Sequence, residues 1–577
     1  MKRSVFKSLS RAGLALVLVL PIGFGTAAIL HRPLPRLSLE RNGTPKPMQV
    51  HTGPQVPPHP LPGSHLVENP YQALKRHYGG TPIDVLTYHY DSGRTGWNQS
   101  ETDLTPASVA SGNFGEIATL NVDGNVLAQP LLVSGFKMPD GTTRDVLVVV
   151  TGNNSVYAFD AGNYSKLWKV NLGPAQSSQD VGCGDVVPEY GISSTPVIVR
   201  KSPGSAILYV VAATEPNYLS FHTQLHALDL GTGADIVTPV EIAPKAKLRS
   251  GGTINFDPQN QWSRAALAYN NGNIYIGIGS HCDDNADAVS GWLLQYSAST
   301  LQLLHHFHTI STSQPTYELA GIWGAGFAPA IDANGNVFVV TGNGAFAKKT
   351  GDWAESVLRL PSGLTKVADH FTVSDYRKLN KDDRDFGSGG VMLVPVVPGQ
   401  TAPPMAVAMG KDAVLYLLNQ ANLGGLKTGD AGALQAQRLA KSGQGLWGGP
   451  AYYGSPGGGL VYVQTNGKVL RAFSISTGTQ PSLTQVAKGK SIAGYGGSLP
   501  IVSSNSSEAD RGVVWVIQRG TTVVLQAYDA VKLGTPLFAA NAGTWTNSHG
   551  NSFLTAMEAN GRVYVPASGT VMVFGLQ

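Results

Sequence analysis

One three-part pattern recurs eight times along this chain, and that recurrence limits the fold more than any other feature. The clearest copies are "VYAFDAGNYSKLW" (156–168), "QLHALDLGTGADIV" (224–237) and "VVLQAYDAVKLGTPLF" (523–538). Each is an alternating strand, a polar turn and a further short strand. A second β-rich piece precedes each copy, such as "RDVLVVVTGN", "AILYVVAAT", "GNIYIGIGS" or "GVVWVIQRG". A third piece comes earlier still, as in "AQPLLV", "STPVIV", "FAPAID" and "GSLPIV". The units follow one another at about 45 to 70 residues, and four strands per unit at that period specify a β-propeller. The expected architecture is therefore all-β, an eight-bladed β-propeller of four-stranded antiparallel blades over residues 85–577.

Composition agrees. The 577 residues include 69 Gly and 36 Pro, a density that helix interiors do not tolerate. The last unit stops at Gln577 after its third strand, whereas "GEIATLNVDG" (115–124) has no partner of its own. Pairing the two would close the ring with an N-terminal strand and remove an exposed edge.

Other features bound the setting. The formal charge is only +4 with Lys and Arg scattered, so no basic stripe for nucleic acid is present. Lys2, Arg3, Lys7 and Arg11 precede the apolar Ala12 to Leu20, then Pro21 and the small residues Thr26, Ala27 and Ala28. Residues 1–30 thus read as a signal peptide, with an uncleaved N-terminal anchor as the rival. Residues 31–84 read as a Pro-rich linker. The chain is expected to be exported, to the periplasm, envelope or medium, and to touch a membrane only if the first segment is retained. Cys183 and Cys282 are the only cysteines. They are open to reading as a disulfide, two free thiols or chance, but their loops fall on one face of adjacent blades, which predicts a disulfide.

"VYAFDAGNYSKLW" and "LHALDLGTGADI" resemble the "YALDAxTGxxxW" repeat of the pyrroloquinoline-quinone-like (quinoprotein alcohol dehydrogenase-like) propellers, and further stretches resemble exported bacterial proteins of that type. The resemblance covers roughly residues 85–577. Its enzymatic branch implies a quinone, PQQ, and Ca²⁺ in the central funnel, commonly under a disulfide of adjacent cysteines. Here Gly184 follows Cys183, and no C-x-x-C-H haem motif exists. A second branch is a non-catalytic scaffold of outer-membrane assembly. No cofactor is assured by the residues, and PQQ with Ca²⁺ stays open through the resemblance.

In a propeller the loops entering each blade and the turns joining strands two and three share one face. That face gathers Asp185, Glu189, Trp262, Arg264, Trp323, Asp385, Trp447 and Trp545 from entry loops, and Asn343, Lys411 and His281 with Asp283 from turns. Arg264, Trp323, Asp385, Trp447 and Trp545 are the expected ligand-binding residues, because each stands just ahead of an innermost strand. Glu189, Asp283 and Asp385 are the candidate metal ligands. Each has a structural alternative: inter-blade packing for the tryptophans, an ion pair for Arg264, a solvated turn for "HCDDNAD" (281–287). No catalytic residue is assigned, and no G-x-S-x-G or phosphate loop is present. The expected function is a monomeric scaffold binding a polar small molecule or an envelope protein through its funnel. The alternative is a PQQ-dependent oxidoreductase acting on an alcohol or sugar. A third reading is a hydrolase or lyase using carboxylates such as Glu189 and Asp385.

Overall fold

The computed structural model describes residues 78–577, apart from 250, 284–289, 313–318 and 548–549. The signal-peptide reading and most of the linker lie outside the described residues. Eight innermost strands define the blades: Leu131–Lys137, Val197–Ser202, Ala268–Asn270, Ala330–Ile331, Val391–Leu393, Ala451–Ser455, Ile501–Ser503 and Met557–Ala559. Each begins a four-stranded antiparallel meander running outward, as in Leu131–Lys137, Thr143–Val150, Ser155–Asp160 and Lys166–Asn171 of the first blade.

The pattern of each strand follows from its place in this stack. Second strands are covered by neighbouring blades on both faces, so they are continuous apolar runs; Val146 to Val150 are all buried. Outermost strands have a solvated face: in Lys166–Asn171 the residues Lys166, Lys169 and Asn171 are exposed, whereas Leu167, Trp168 and Val170 are half-buried. Blade packs on blade through large side chains, for example Phe114 with Trp515 and Phe538 between the seventh and eighth.

The ring closes as expected. Strand Phe114–Asn125 pairs antiparallel with the last strand, Ser568–Leu576, in a register that sets Phe114 against Leu576 and Thr119 against Met572. It supplies the outer strand that the eighth blade lacks.

A second N-terminal device had no signal in the repeat. Residues 85–98 cross the axis on the face opposite the funnel loops and seal it. Their carbonyls take up amides that the innermost strands leave unpaired: Leu86 O accepts from Ile198 N, Ser92 O from Ile331 N, Gly93 O from Leu393 N, Thr95 O from Tyr452 N and Gly96 O from Val502 N. Arg94, wholly buried, donates to Pro329 O at 2.9 Å and to Thr87 and Tyr88. The linker's last residues already belong to this assembly, since Ile83 N donates to Asn560 Oδ1 and Asp84 pairs with Arg200 at 2.9 Å.

The plug is latched by two buried carboxyl groups. Glu101 accepts from the amides of Asp103, Leu104 and Gly561, whereas Glu558, on the innermost strand of the eighth blade, takes one bond from Asn98. Burial, then the neighbouring Glu101, raises the Glu558 pKa well above its ordinary 4.5. A raised native pKa contributes stability in full below that ordinary value, and the contribution drains away as pH rises toward the native one. Glu558→Gln keeps the bond from Asn98 without the ionisation penalty. Its melting temperature should gain on the parent's as pH rises from mildly acidic to alkaline, in thermal denaturation across that range; a constant difference would sink the latch.

Candidate functional site

On the face opposite the plug, entry loops and turns of the second to the eighth blades enclose a cavity of about 370 Å³. Four aspartates (185, 283, 383 and 385) and Lys411 line it, with Trp323, Trp447, Tyr495, Asn343 and Cys282 among the other wall residues. The loop 383–388 provides its acidic floor. Helix Tyr376–Asp382 ends in Asp383 in the left-handed conformation, and the turn Phe386–Ser388 follows. Phe386 N donates to buried Glu355 and Lys411 N to the hydroxyl of Ser388, which ties this loop to the fourth and fifth blades.

Lys411 bridges two carboxylates, Asp385 at 2.5 Å and Asp383 at 3.1 Å. Burial works against its charge, but Asp385 and Asp383 outweigh that and hold the ammonium protonated far into the alkaline range. Asn343 donates its amide N–H to Asp385 and its side-chain nitrogen to Asp383. Its own Oδ1 is buried and finds no donor among the described residues. Asp283 follows Cys282 in a turn where both residues have positive φ, and the Ser280 hydroxyl donates to it. Burial and then Asp385 push its pKa up to about 7. One oxygen each from Asp283, Asp383 and Asp385 lies within 4.8 Å of the others. Beside the disulfide Asn551 donates to Asp185, whose pKa is also raised by burial. Gly550 must lack a side chain here, because φ is +59° and a Cβ would fall 2.4 Å from Asp185.

The aromatic wall has two parts. Trp323 meets Trp262 edge to face at 6.2 Å, and Trp262 stacks on His281. Trp447 packs against Tyr495 at 5.3 Å, with the Lys411 ammonium 5.8 Å from its ring centre. Cys183 and Cys282 are bonded to each other, with Cα atoms 5.6 Å apart, and Cys282 puts this disulfide on the cavity wall. It closes a separation of 99 residues, for which the chain-entropy model gives roughly 4 to 5 kcal/mol.

Of the expected residues, Trp323, Asp283, Asp385 and Trp447 therefore meet in one cavity, and Arg264, Trp545 and Glu189 do not line it. Arg264 is fully buried with its donors spent on the carbonyls of Ser193, Asn551 and Phe553, each at 3.0 Å. It ties the second, third and eighth blades across the axis. Trp545 is packed among side chains of the seventh and eighth blades, its indole N–H toward Ser552. Glu189 precedes Tyr190, which turns inward onto Trp262 and His281, so strand alternation sends Glu189 away from the cavity, toward Asp123. Lys411 and Asn343 were legible as funnel-face residues without marking a site. Asp383 had only the acidic run "KDDRDF" to announce it.

No protein-family model and no curated protein matches this chain. Solved structures do share its fold. Quinohemoprotein alcohol dehydrogenase from Comamonas testosteroni aligns over 88% of this chain and 84% of its own, with TM-score 0.55 and 15% identity. A europium-containing methanol dehydrogenase aligns over 88% and 99%, with TM-score 0.54 and 14% identity. The quinohemoprotein alcohol dehydrogenase ADHIIG from Pseudomonas putida HK5 aligns over 87% and 81%, with TM-score 0.54 and 14% identity. At these identities the likeness is one of fold, the quinoprotein-dehydrogenase-type propeller.

The Lys411–Asp385 pair is largely buried, at 16% and 6% side-chain exposure. Lys411→Met should cost about 3 kcal/mol, because it strands a buried carboxylate. Adding Asp385→Asn should return most of that. Urea unfolding of the two single variants and the double variant measures the coupling, and additive losses would show that the pair does not act as a unit.

Proposed function

We propose that this chain is an exported binding propeller whose funnel holds a polar small molecule, with a divalent cation as part of the site. One observation carries the reading: a single cavity combines three converging carboxylates, an undonated buried amide oxygen and two tryptophan faces. Oxygen-only donors of this kind suit a hard cation such as Ca²⁺. Asp283, Asp383 and Asp385 would hold it, with Asn343 Oδ1 beside them, and the bound ion would supply a Lewis-acidic contact for ligand hydroxyls. Trp323, Trp447 and Tyr495 offer flat apolar faces for the carbon skeleton of a sugar or polyol. Export is part of the proposal and rests on the N-terminal sequence. Among the described residues no helix is long and apolar enough to cross a membrane.

The fit to PQQ is poorer. That quinone carries three carboxyl groups, whereas the described wall presents four carboxyl groups and one cation, Lys411, already bridged to two of them. The alternative reading, an oxidoreductase acting on an alcohol or sugar, is favoured by one specific finding. A disulfide does line the cavity, although its cysteines are not adjacent in sequence. The proteins that share the fold are by name alcohol and methanol dehydrogenases.

Two measurements test this. Calcium should bind once per chain and more tightly at about pH 8 than at about pH 5, because Asp283, at about 7, must give up its proton. Calorimetry in buffers of different ionisation enthalpy would register that proton, and silence in both buffers would sink the cation. Purified protein with Ca²⁺ and the quinone should show no dye-linked oxidation of alcohols or sugars. Turnover that disappears in Asp385→Ala would replace the binding reading with the oxidoreductase one.

A further inference from the structure

A second cavity, of about 400 Å³, opens on the plug face between the fourth and fifth blades. Its walls come from the plug (Asp91, Gly93, Thr95), from the end of the fourth blade's innermost strand, and from the fifth blade's Leu393–Val396 and Pro404. Most of the fifth-blade surface is apolar, and Val396 is 63% exposed at the rim. One side chain on the wall is out of place. Arg359 lies on the third strand of the fourth blade, paired with Phe338 of the second strand. The equivalent pairings in other blades are Ala227 with Tyr209, Ala472 with Tyr462 and Ala527 with Trp515. The first blade also has Ala here, paired with Val148, and the third, fifth and eighth have Gln295, Leu417 and Val573, so among the eight blades the fourth alone carries a charge at this position.

That guanidinium is poorly satisfied. Its side chain is 23% exposed, its Nε is buried with no acceptor, and it makes no hydrogen bond among the described residues. Its one ionic contact is to Asp369 at 3.7 Å, beyond hydrogen-bond reach. Asp369 is engaged elsewhere, accepting from Leu423 N at 2.7 Å and from its neighbour His370 N. Leaving a buried charged donor without an acceptor is expensive, and a guanidinium is shaped for the two oxygens of a carboxylate. The other acids on the wall are committed to their own loops. Asp91 accepts from Thr95 N and its hydroxyl, and Asp332 from Asn334 N and from the amide and side chain of Asn336.

We propose that this cavity is a second binding site, separate from the funnel, for a small amphipathic monocarboxylate. Arg359 takes the carboxylate, and the apolar body lies along Val394, Pro395, Val396 and Pro404. The site does not depend on the funnel reading, because the two cavities open on opposite faces and share no wall residue.

4-Phenylbutyrate and its neutral counterpart 4-phenylbutan-1-ol are suitable probes, with binding followed by ligand-observed nuclear magnetic resonance and calorimetry on the full chain. The acid should bind at least tenfold more tightly than the alcohol. Arg359→Gln, which removes the charge and keeps a shorter polar side chain with an N–H donor, should lose that tenfold preference, equivalent to about 1.4 kcal/mol. Val396→Asp should weaken the acid at the rim, while Asp383→Asn in the funnel should leave it unchanged. Equal affinity for acid and alcohol, retention of the preference in Arg359→Gln, or no binding of the acid at millimolar concentration would each overturn the site. Matching unfolding curves for parent and variants would exclude loss of fold as the cause.

Discussion

Everything in this molecule depends on strand Phe114–Asn125 reaching Ser568–Leu576. A propeller is a ring of sheets, each burying its faces on two neighbours, and an open ring would expose a blade face and an unpaired edge at once. Closure by the N-terminal strand brings together parts of the chain more than four hundred residues apart. The plug builds on that closure. It begins about thirty residues before the closing strand, and its carbonyls cap innermost strands that hold their radial positions only once the ring exists. Arg264 adds a third tie, joining the second, third and eighth blades through backbone oxygens. The axis is thus closed on one face by chain and side-chain hydrogen bonds. On the other face the entry loops diverge and leave a cavity.

That asymmetry explains why charge collects where it does. Blade interiors are built mainly of apolar runs, so most of the buried charged groups sit in loops, latches and the plug, with Asp145 and the half-buried Arg359 on blade strands as exceptions. Among these groups, burial and then the neighbouring Glu101 raise the Glu558 pKa, Arg94 donates to carbonyls and the Thr87 hydroxyl, and Arg264 donates to carbonyls. The funnel acids differ in kind. Asp283, Asp383 and Asp385 share one cation, Lys411, among the described wall residues, and burial, then Asp385, raises the pKa of Asp283. A structural network could satisfy itself more fully; this one retains the imbalance that a cation would remove.

The blades were legible because a four-stranded unit needs the same three strand signatures each time, and eight copies leave little freedom of interpretation. The faces of the loops followed from that topology, which is why Trp323, Asp283, Asp385 and Trp447 were found together. Radial depth was not legible. Standing ahead of an innermost strand places a residue near the axis, but it does not say whether the side chain points into the funnel or into the wall. Arg264 and Trp545 point into the wall, where a buried guanidinium and an indole each find protein partners. Glu189 was lost to strand alternation, one residue from the inward Tyr190. The plug escaped because it carries no repeat. Its backbone passes from blade to blade across the axis, with His89, Tyr90 and Arg94 in left-handed conformations that no propensity announces.

The disulfide shows how the same chemistry can arise from a different part of the topology. A pair of adjacent cysteines makes a local feature that any sequence scan detects. Cys183 and Cys282 instead approach only because an entry loop of the second blade and a turn of the third share one face, so the bond is a consequence of the ring. It staples two neighbouring loops at the wall that also carries Asp283. Cys282 and Asp283 are consecutive and both left-handed, so the bond anchors the turn that carries that carboxylate, which also accepts from the Ser280 hydroxyl.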